Sequence, residues 1–192
     1  MANNAFTPDS FKSLTDQSPV PFNETYHKAL FAQYVMETNN GTSNLFINHS
    51  NLFGMRPALS REKHYASVYE SANGPFAHYD SPTYSVIDRM ALDESLGTVP
   101  PTNEHDILRY MDEVLQKCYS GCPEEPHYLG AWIDAFNGVY PSMRLNIEDR
   151  SDLPSHQEDA DFLSGLPSWS KIAIPLIGIA SLLVFLKKKN VF

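Results

Sequence analysis

Between Tyr26 and Met36 the chain is apolar almost all round, with Lys28 and Gln33 the main polar interruptions. A helix apolar on most faces lies inside a domain rather than on its surface, so this stretch predicts a central buried helix. Glu37 stands where that helix runs out, just before Thr38-Asn39-Asn40-Gly41. Gly41, Asn39 or Asn40 can take the left-handed conformation that ends a helix. Upstream, Thr7-Pro8-Asp9-Ser10-Phe11 is a helix-start pattern with Phe11 and Leu14 one turn apart. Ser18-Pro-Val-Pro21 breaks that helix, and Asn23 or Thr25 can cap the central one. Residues 38–56 read as a polar, Asn-rich loop followed by a Gly-containing turn.

The pattern then changes period. Tyr65, Ser67 and Tyr69 alternate with Ala66, Val68 and Glu70, Ser71-Ala-Asn-Gly74 is a turn, and Pro75 to Tyr79 returns. Residues 63–79 therefore predict a β-hairpin. Residues 81–96 predict a helix with Pro82 in its first turn and Val86, Ile87 and Met90 on one face, ended by Gly97 and the following prolines. Residues 103–118 predict another, capped by Asn103 with Asp106 reaching back, and striped by Ile107, Leu108, Met111, Val114 and Leu115. A last helix, Tyr128 to Phe136, carries Trp132.

The C-terminal pattern differs from all of these. Residues 146–168 are acidic with Pro, Ser and Gly, and read as a flexible linker. Ile172 to Leu186 is an uncharged run of 15 residues, about 22 Å long as a helix, or about 31 Å counted from Leu166. A bilayer core needs about 30 Å. Trp169 at one end and Lys187, Lys188 and Lys189 at the other supply interface anchors, and snorkelling lysines extend the reach. The segment 169–192 thus predicts a transmembrane anchor with a basic tail.

Composition sharpens this division. A chain of 192 residues has room for one domain plus a tail, and its 42% apolar content suffices for a packed core. The formal net charge is -9, but all four lysines of residues 171–192 lie in the tail, leaving 10 basic against 23 acidic residues before it. A surface that acidic repels phosphate backbones, which excludes nucleic acid as a partner. Cys118 and Cys122 are the only cysteines, in a CYSGC spacing that reads as two ordinary thiols, with a disulfide open only if the turn brings them within range. With no HExxH and no Cys/His pairing, no metal or other cofactor is expected. The polar N-terminus has neither a basic n-region nor an apolar h-region, so no secretory signal is expected.

The candidate chemistry sits at the end of the central helix. Burial at the edge of an apolar core and the negative end of a helix dipole both disfavour a charged carboxylate. Both raise the pKa of Glu37, which suits a general acid working near neutral pH. Gln33-x-x-x-Glu37-Thr-x-x-Gly41-x-Ser43, followed by Ser50-Asn51-Leu52-Phe53-Gly54-Met55-Arg56, resembles the peptidoglycan glucosaminidase domain of bacterial and phage cell-wall hydrolases. That family shows an AQ-x-x-x-E-[ST]-x-x-G-x-S helix end and then an NLFG-[IVM]-[KR] turn, and Ala32-Gln33 matches the AQ pair. Phe76-Ala-His-Tyr79-Asp80-Ser81 is similar to the segment that closes the family's hairpin, with Ala77 in place of the usual Arg. Tyr119, one proline and Tyr128 follow the family's G-Y-A-T-D-P-x-Y segment, with an insertion between them. The resemblance spans about Thr7 to Tyr140.

The resemblance implies a mainly α, α+β domain of lysozyme-like fold over residues 1–145, with a small β-hairpin lobe. It implies Glu37 as the catalytic acid, and Glu70 as the second acid, with Glu62 as the alternative. Tyr69, Phe53 and Tyr79 are candidate sugar-facing aromatics or, equally, core residues, and Asn51 is a candidate substrate-binding residue in a loop whose asparagines could equally satisfy its own backbone. The expected function is a membrane-anchored peptidoglycan hydrolase of N-acetylglucosaminidase type, with glycan strands and a lipid bilayer as partners. The three C-terminal lysines place that end on the cytoplasmic or equivalent interior side, and no export signal accounts for the acidic domain on the other. A virion membrane resolves the conflict, with the enzyme opening the host wall during entry beside other virion proteins. A lytic transglycosylase or muramidase of the same superfamily, or an inactive structural protein of a virion membrane, are the alternatives.

Overall fold

The computed structural model describes residues 5–17, 23–58, 61–117, 126–146 and 148. Six helices and one hairpin are found among them: α1 (Pro8–Thr15), α2 (Glu24–Glu37), α3 (Asn44–His49), β1 (Ser67–Ser71), β2 (Gly74–His78), α4 (Pro82–Leu96), α5 (Asp106–Gln116) and α6 (Pro126–Val139). The fold is mainly helical with a small two-stranded antiparallel sheet. Cys118, Cys122 and the segment 169–192 lie outside the described residues. Among the described residues no helix is long and apolar enough to cross a membrane.

Helix α2 is central because its sequence leaves it no outside. Tyr26, Ala29, Leu30, Phe31, Ala32 and Tyr34 are all buried, and α1, α5 and α6 pack against it. Asn23 starts it, its Oδ1 accepting from the amides of Thr25 (3.0 Å) and Tyr26 (3.1 Å). At its far end all three of the expected residues turn left-handed: Asn39 (φ 48°), Asn40 (φ 54°) and Gly41 (φ 78°). Gly41 is the one for which a side chain has no room, since a Cβ there would lie 2.8 Å from both Ala5 Cα and Tyr34 Oη. Thr38 stitches the end together, donating to the Tyr34 carbonyl (2.7 Å) and accepting from the Gly41 amide (2.8 Å).

The flanking elements follow the hydrophobic pattern with shifted ends. The Thr7 capping box opens α1. Helix α5 begins at Asp106, three residues later than the stripe suggests, because Asn103 Oδ1 holds the amides of His105 (3.0 Å) and Asp106 (3.2 Å) in a preceding turn. Helix α6 is longer than its pattern, and its Trp132 is fully buried with Nε1 donating to the Ala29 carbonyl of α2 (3.0 Å). Part of the expected polar loop is the short helix α3, whose start Ser43 caps through the Phe46 amide.

The hairpin has the register Ser67↔His78, Tyr69↔Phe76 and Ser71↔Gly74, with the turn where the sequence places it. Its outer edge does not face solvent unaided. The amide of Ala77 donates to the Met55 carbonyl (2.9 Å), and Asn51 Nδ2 donates to the Ala77 carbonyl (2.8 Å). The Asn51–Arg56 turn therefore fastens the hairpin to the helical body. Arg56 completes the fastening, its guanidinium 4.8 Å from the centre of the Phe76 ring and bonded to the carbonyl of Asn73 (3.1 Å).

Candidate active site

Glu37 is the last residue of α2 and is partly buried. Three elements meet at its carboxylate. Tyr128, from the third position of α6, donates its phenolic proton to Oε1. Gly54, from the turn, lies beneath Oε2, so close that a Cβ there would be 3.2 Å from that oxygen. Gly54 is also left-handed (φ 62°), which favours glycine on backbone grounds. The third element is α4, reached through Gln33: Gln33 Nε2 donates to Tyr128 Oη (3.1 Å), and Arg89 Nε donates to Gln33 Oε1 (2.9 Å).

Burial pushes the Glu37 carboxyl up to about 7, against the opposing pull of the Tyr128 hydrogen bond and the positive charge of Arg89. Desolvation therefore outweighs both stabilising partners, which leaves a substantial protonated fraction of Glu37 near neutral pH.

Beneath the site lies a charged cluster that the hydrophobic pattern does not show. Arg89 is fully buried and pairs through Nη1 with Asp93 Oδ1, while Nη2 donates to Tyr110 Oη (3.0 Å). Tyr26 and Tyr110 each donate to Asp93 Oδ2 at 2.6 Å. A second buried carboxylate, Asp88, takes a two-pronged contact from Arg61 (2.8 Å for each) and the hydroxyl of Tyr79 (2.6 Å).

The remaining candidates divide. Asn51 is buried, and its side chain is consumed in holding the turn to the hairpin, accepting from the Met55 amide (2.9 Å) and donating to the carbonyls of Met55 (2.9 Å) and Ala77 (2.8 Å). Phe53 and Tyr79 are also buried, at 1% exposure each. These three are buried, so of the two roles the sequence leaves open, Phe53 and Tyr79 take the core one and Asn51 the one of holding the loop's backbone, and the sugar-facing role is not met. Tyr69 is partly exposed and stacks on His49 with ring centres 3.9 Å apart. Glu70 is exposed on β1, opposite Pro75, and Glu62 is exposed ahead of the hairpin. Tyr128, Gln33, Gly54 and Arg89 join the site without having been singled out as site residues. Gln33, Gly54 and Tyr128 fall within the recurring motifs; Arg89 carries no such signal.

The helical body carries a small hairpin, and its central helix ends on a carboxyl that burial raises to about 7. The profile of the family described as glucosaminidase, mannosyl-glycoprotein endo-beta-N-acetylglucosaminidase, matches residues 23–149, and the chain belongs to that family. It is accordingly a glycoside hydrolase acting on peptidoglycan. No curated protein matches the chain. Among solved structures, a chain from a type VI secretion system effector–immunity complex of Pseudomonas protegens is similar, with 19% identity and a TM-score of 0.45, over 68% of this chain and 85% of that one.

Proposed function

We propose that the protein cleaves the glycan strand of peptidoglycan as an N-acetylglucosaminidase, with Glu37 as the general acid. The observation that carries this reading is the Glu37 carboxyl, pushed up to about 7 by burial in a residue that stays partly exposed, with Gly54 against its Oε2. In this mechanism Glu37 gives its proton to the glycosidic oxygen as the bond to the anomeric carbon breaks. The charge developing on the sugar is met by a second carboxylate, Glu70, acting on water or on the oxocarbenium-like centre. The exposed position of Glu70 also favours a second reading. In it the acetamido group of the substrate supplies the nucleophile and Glu37 works as the one protein carboxylate.

The test is clearing of purified cell wall by the full chain beside Glu37→Gln, with product analysis. Clearing by the parent alone, with N-acetylglucosamine at the new reducing ends, supports the proposal. Equal clearing removes Glu37 from the mechanism. Muramic acid or anhydro-muramic ends assign the bond to a muramidase or transglycosylase, and no clearing by either chain favours a structural role.

The same proposal places the enzyme at a membrane through residues 169–192, by the length of the apolar run and its Trp169 and lysine flanks. It locates that membrane in a virion, with the enzyme opening the host wall during entry. The full chain should float with liposomes and stay bound in high salt, whereas Leu183→Asp should not. Absence of the protein from purified particles, with residence in a cell membrane, would overturn the virion assignment.

A further inference from the structure

The hydrogen bonds around Glu37 form a chain whose direction is fixed from its buried end. Arg89 carries five N–H donors and no acceptor, and it keeps its charge at any accessible pH. Whatever faces its Nε must accept, so the side-chain oxygen of Gln33 lies there (2.9 Å). The amide of Gln33 is then turned so that its NH2 points the other way and donates to Tyr128 Oη (3.1 Å). With its oxygen receiving that proton, the phenol presents its own hydrogen to Glu37 Oε1. Oε1 is thus an acceptor in both protonation states, and the acid proton is left to Oε2. Gly54 flanks that oxygen, and the missing Cβ, which would stand 3.2 Å away, keeps its approach open.

The far end of the chain is held as firmly. Arg89 is fixed by Asp93, which is buried and accepts from Tyr26 and Tyr110 (both 2.6 Å). Four helices contribute: α2 through Tyr26, Gln33 and Glu37, α4 through Arg89 and Asp93, α5 through Tyr110, and α6 through Tyr128.

We infer that Gln33 and Arg89 are positioning residues that act through Tyr128 to hold the transferable proton of Glu37 on Oε2, the oxygen beside Gly54. The inference rests on Glu37 being the catalytic acid, and it goes beyond that reading by saying which oxygen delivers the proton and what puts it there. A Gln33 that merely filled space would leave the titration of Glu37 unmoved.

The charged and titratable groups that face Glu37 are Tyr128 and, one step behind, Arg89, so the test works on these. Glu37 is followed by carbon NMR of labelled glutamate in the full chain, its signal assigned by its loss in Glu37→Gln. Tyr128→Phe removes the donor to Oε1, and the Glu37 pKa should rise by about one pH unit, the worth of one hydrogen bond to a charged group. Gln33→Glu keeps the shape and the Arg89 contact but can no longer donate. The single phenolic proton is then drawn to residue 33, and the pKa should rise by a similar amount. Because both changes remove the same hydrogen bond, the double variant should lie close to either single one. Shifts that add would mean that the new charge acts through its field alone, and an unmoved Glu37 in Gln33→Glu would mean no relay; either result overturns the inference. Should Gln33→Glu not fold, Gln33→Met serves, with a rise expected and no change overturning it. Activity is read separately. In Gln33→Glu, kcat should fall about tenfold with KM held within about twofold, the pattern of a lost transition-state contact. The NMR arm stands whether or not the chain clears cell wall, so failure of the relay and failure of the glycosidase reading are distinguishable.

Discussion

Two glycines separate what backbone conformation contributes from what the site contributes. Gly54 (φ 62°) and Gly97 (φ 64°) are both left-handed. A Cβ at Gly54 would stand 3.2 Å from Glu37 Oε2, whereas one at Gly97 would meet nothing within 4 Å. Each glycine-to-alanine change should cost about 1 kcal/mol of stability from strained backbone. Only Gly54→Ala should also lower the rate of wall clearing, and Gly97→Ala should leave it intact. Urea denaturation and turbidity assays on the pair check this. Glu37 itself makes a pH prediction. Its folded value of about 7 is raised above the model-peptide 4.5, so the folded state binds a proton that the unfolded chain has released. The stabilisation this brings is complete below about pH 4.5 and lost as pH rises through 7. Glu37→Gln has no proton to lose there. Its melting temperature minus that of the parent should therefore grow between pH 4.5 and 8, and a constant difference would contradict a buried, protonated acid. Glu37 stands out as a candidate in the sequence because the residues after it carry motif and turn chemistry. For Asn51, Phe53 and Tyr79 the sequence leaves the sugar-facing and the buried roles equally open, because a motif marks which residues recur, not what they touch.

At the scale of elements, the hairpin is the part most exposed to a single change. Two strands alone are marginal in water, and this pair is fastened by backbone contacts that Asn51 organises. Asn51→Ala should remove the side-chain partner of the buried Met55 amide and one of the donors to the Ala77 and Met55 carbonyls, the latter still held by the Ala77 amide, at a cost of about 2–3 kcal/mol. Amide exchange of residues 67–78 should quicken more than that of α2. Uniform quickening would mean instead that the turn belongs to the global core. The hairpin and the helices were readable because each satisfies one period along most of its length. Helix α3 was hidden by its brevity: six residues beginning Asn-Leu-Phe, set among asparagines, do not complete two turns of apolar pattern. The late start of α5 came from Asn103 capping a turn rather than the helix proper.

At the largest scale described, residues 5–148, the helices are tied through charges that pattern reading assigns to the surface. Asp88, Arg89 and Asp93 of α4 would ordinarily mark a solvated face, yet all three are buried, because most of their partners arrive from outside α4. Arg61 and Tyr79 reach Asp88, while Tyr26, Tyr110 and Gln33 reach the Arg89–Asp93 pair. No local window contains all of those pairings, which is why α2 was legible as an element and its charged support was not. A buried ion pair is costly to break from one side and far less costly to remove whole. Asp93→Asn retains an oxygen for one tyrosine but leaves the Arg89 cation without its anion, and should destabilise by about 3–5 kcal/mol. Adding Arg89→Met removes the stranded charge, so the double variant should be more stable than Asp93→Asn despite the extra change. In urea denaturation, a further loss from the second change would show that Arg89 stabilises the fold by packing and not by pairing. The restored fold should nonetheless remain slow. Without Arg89 nothing orients the Gln33 amide, and without its positive charge Glu37 should titrate above 7, so recovery of stability with no recovery of kcat would separate the network's two contributions.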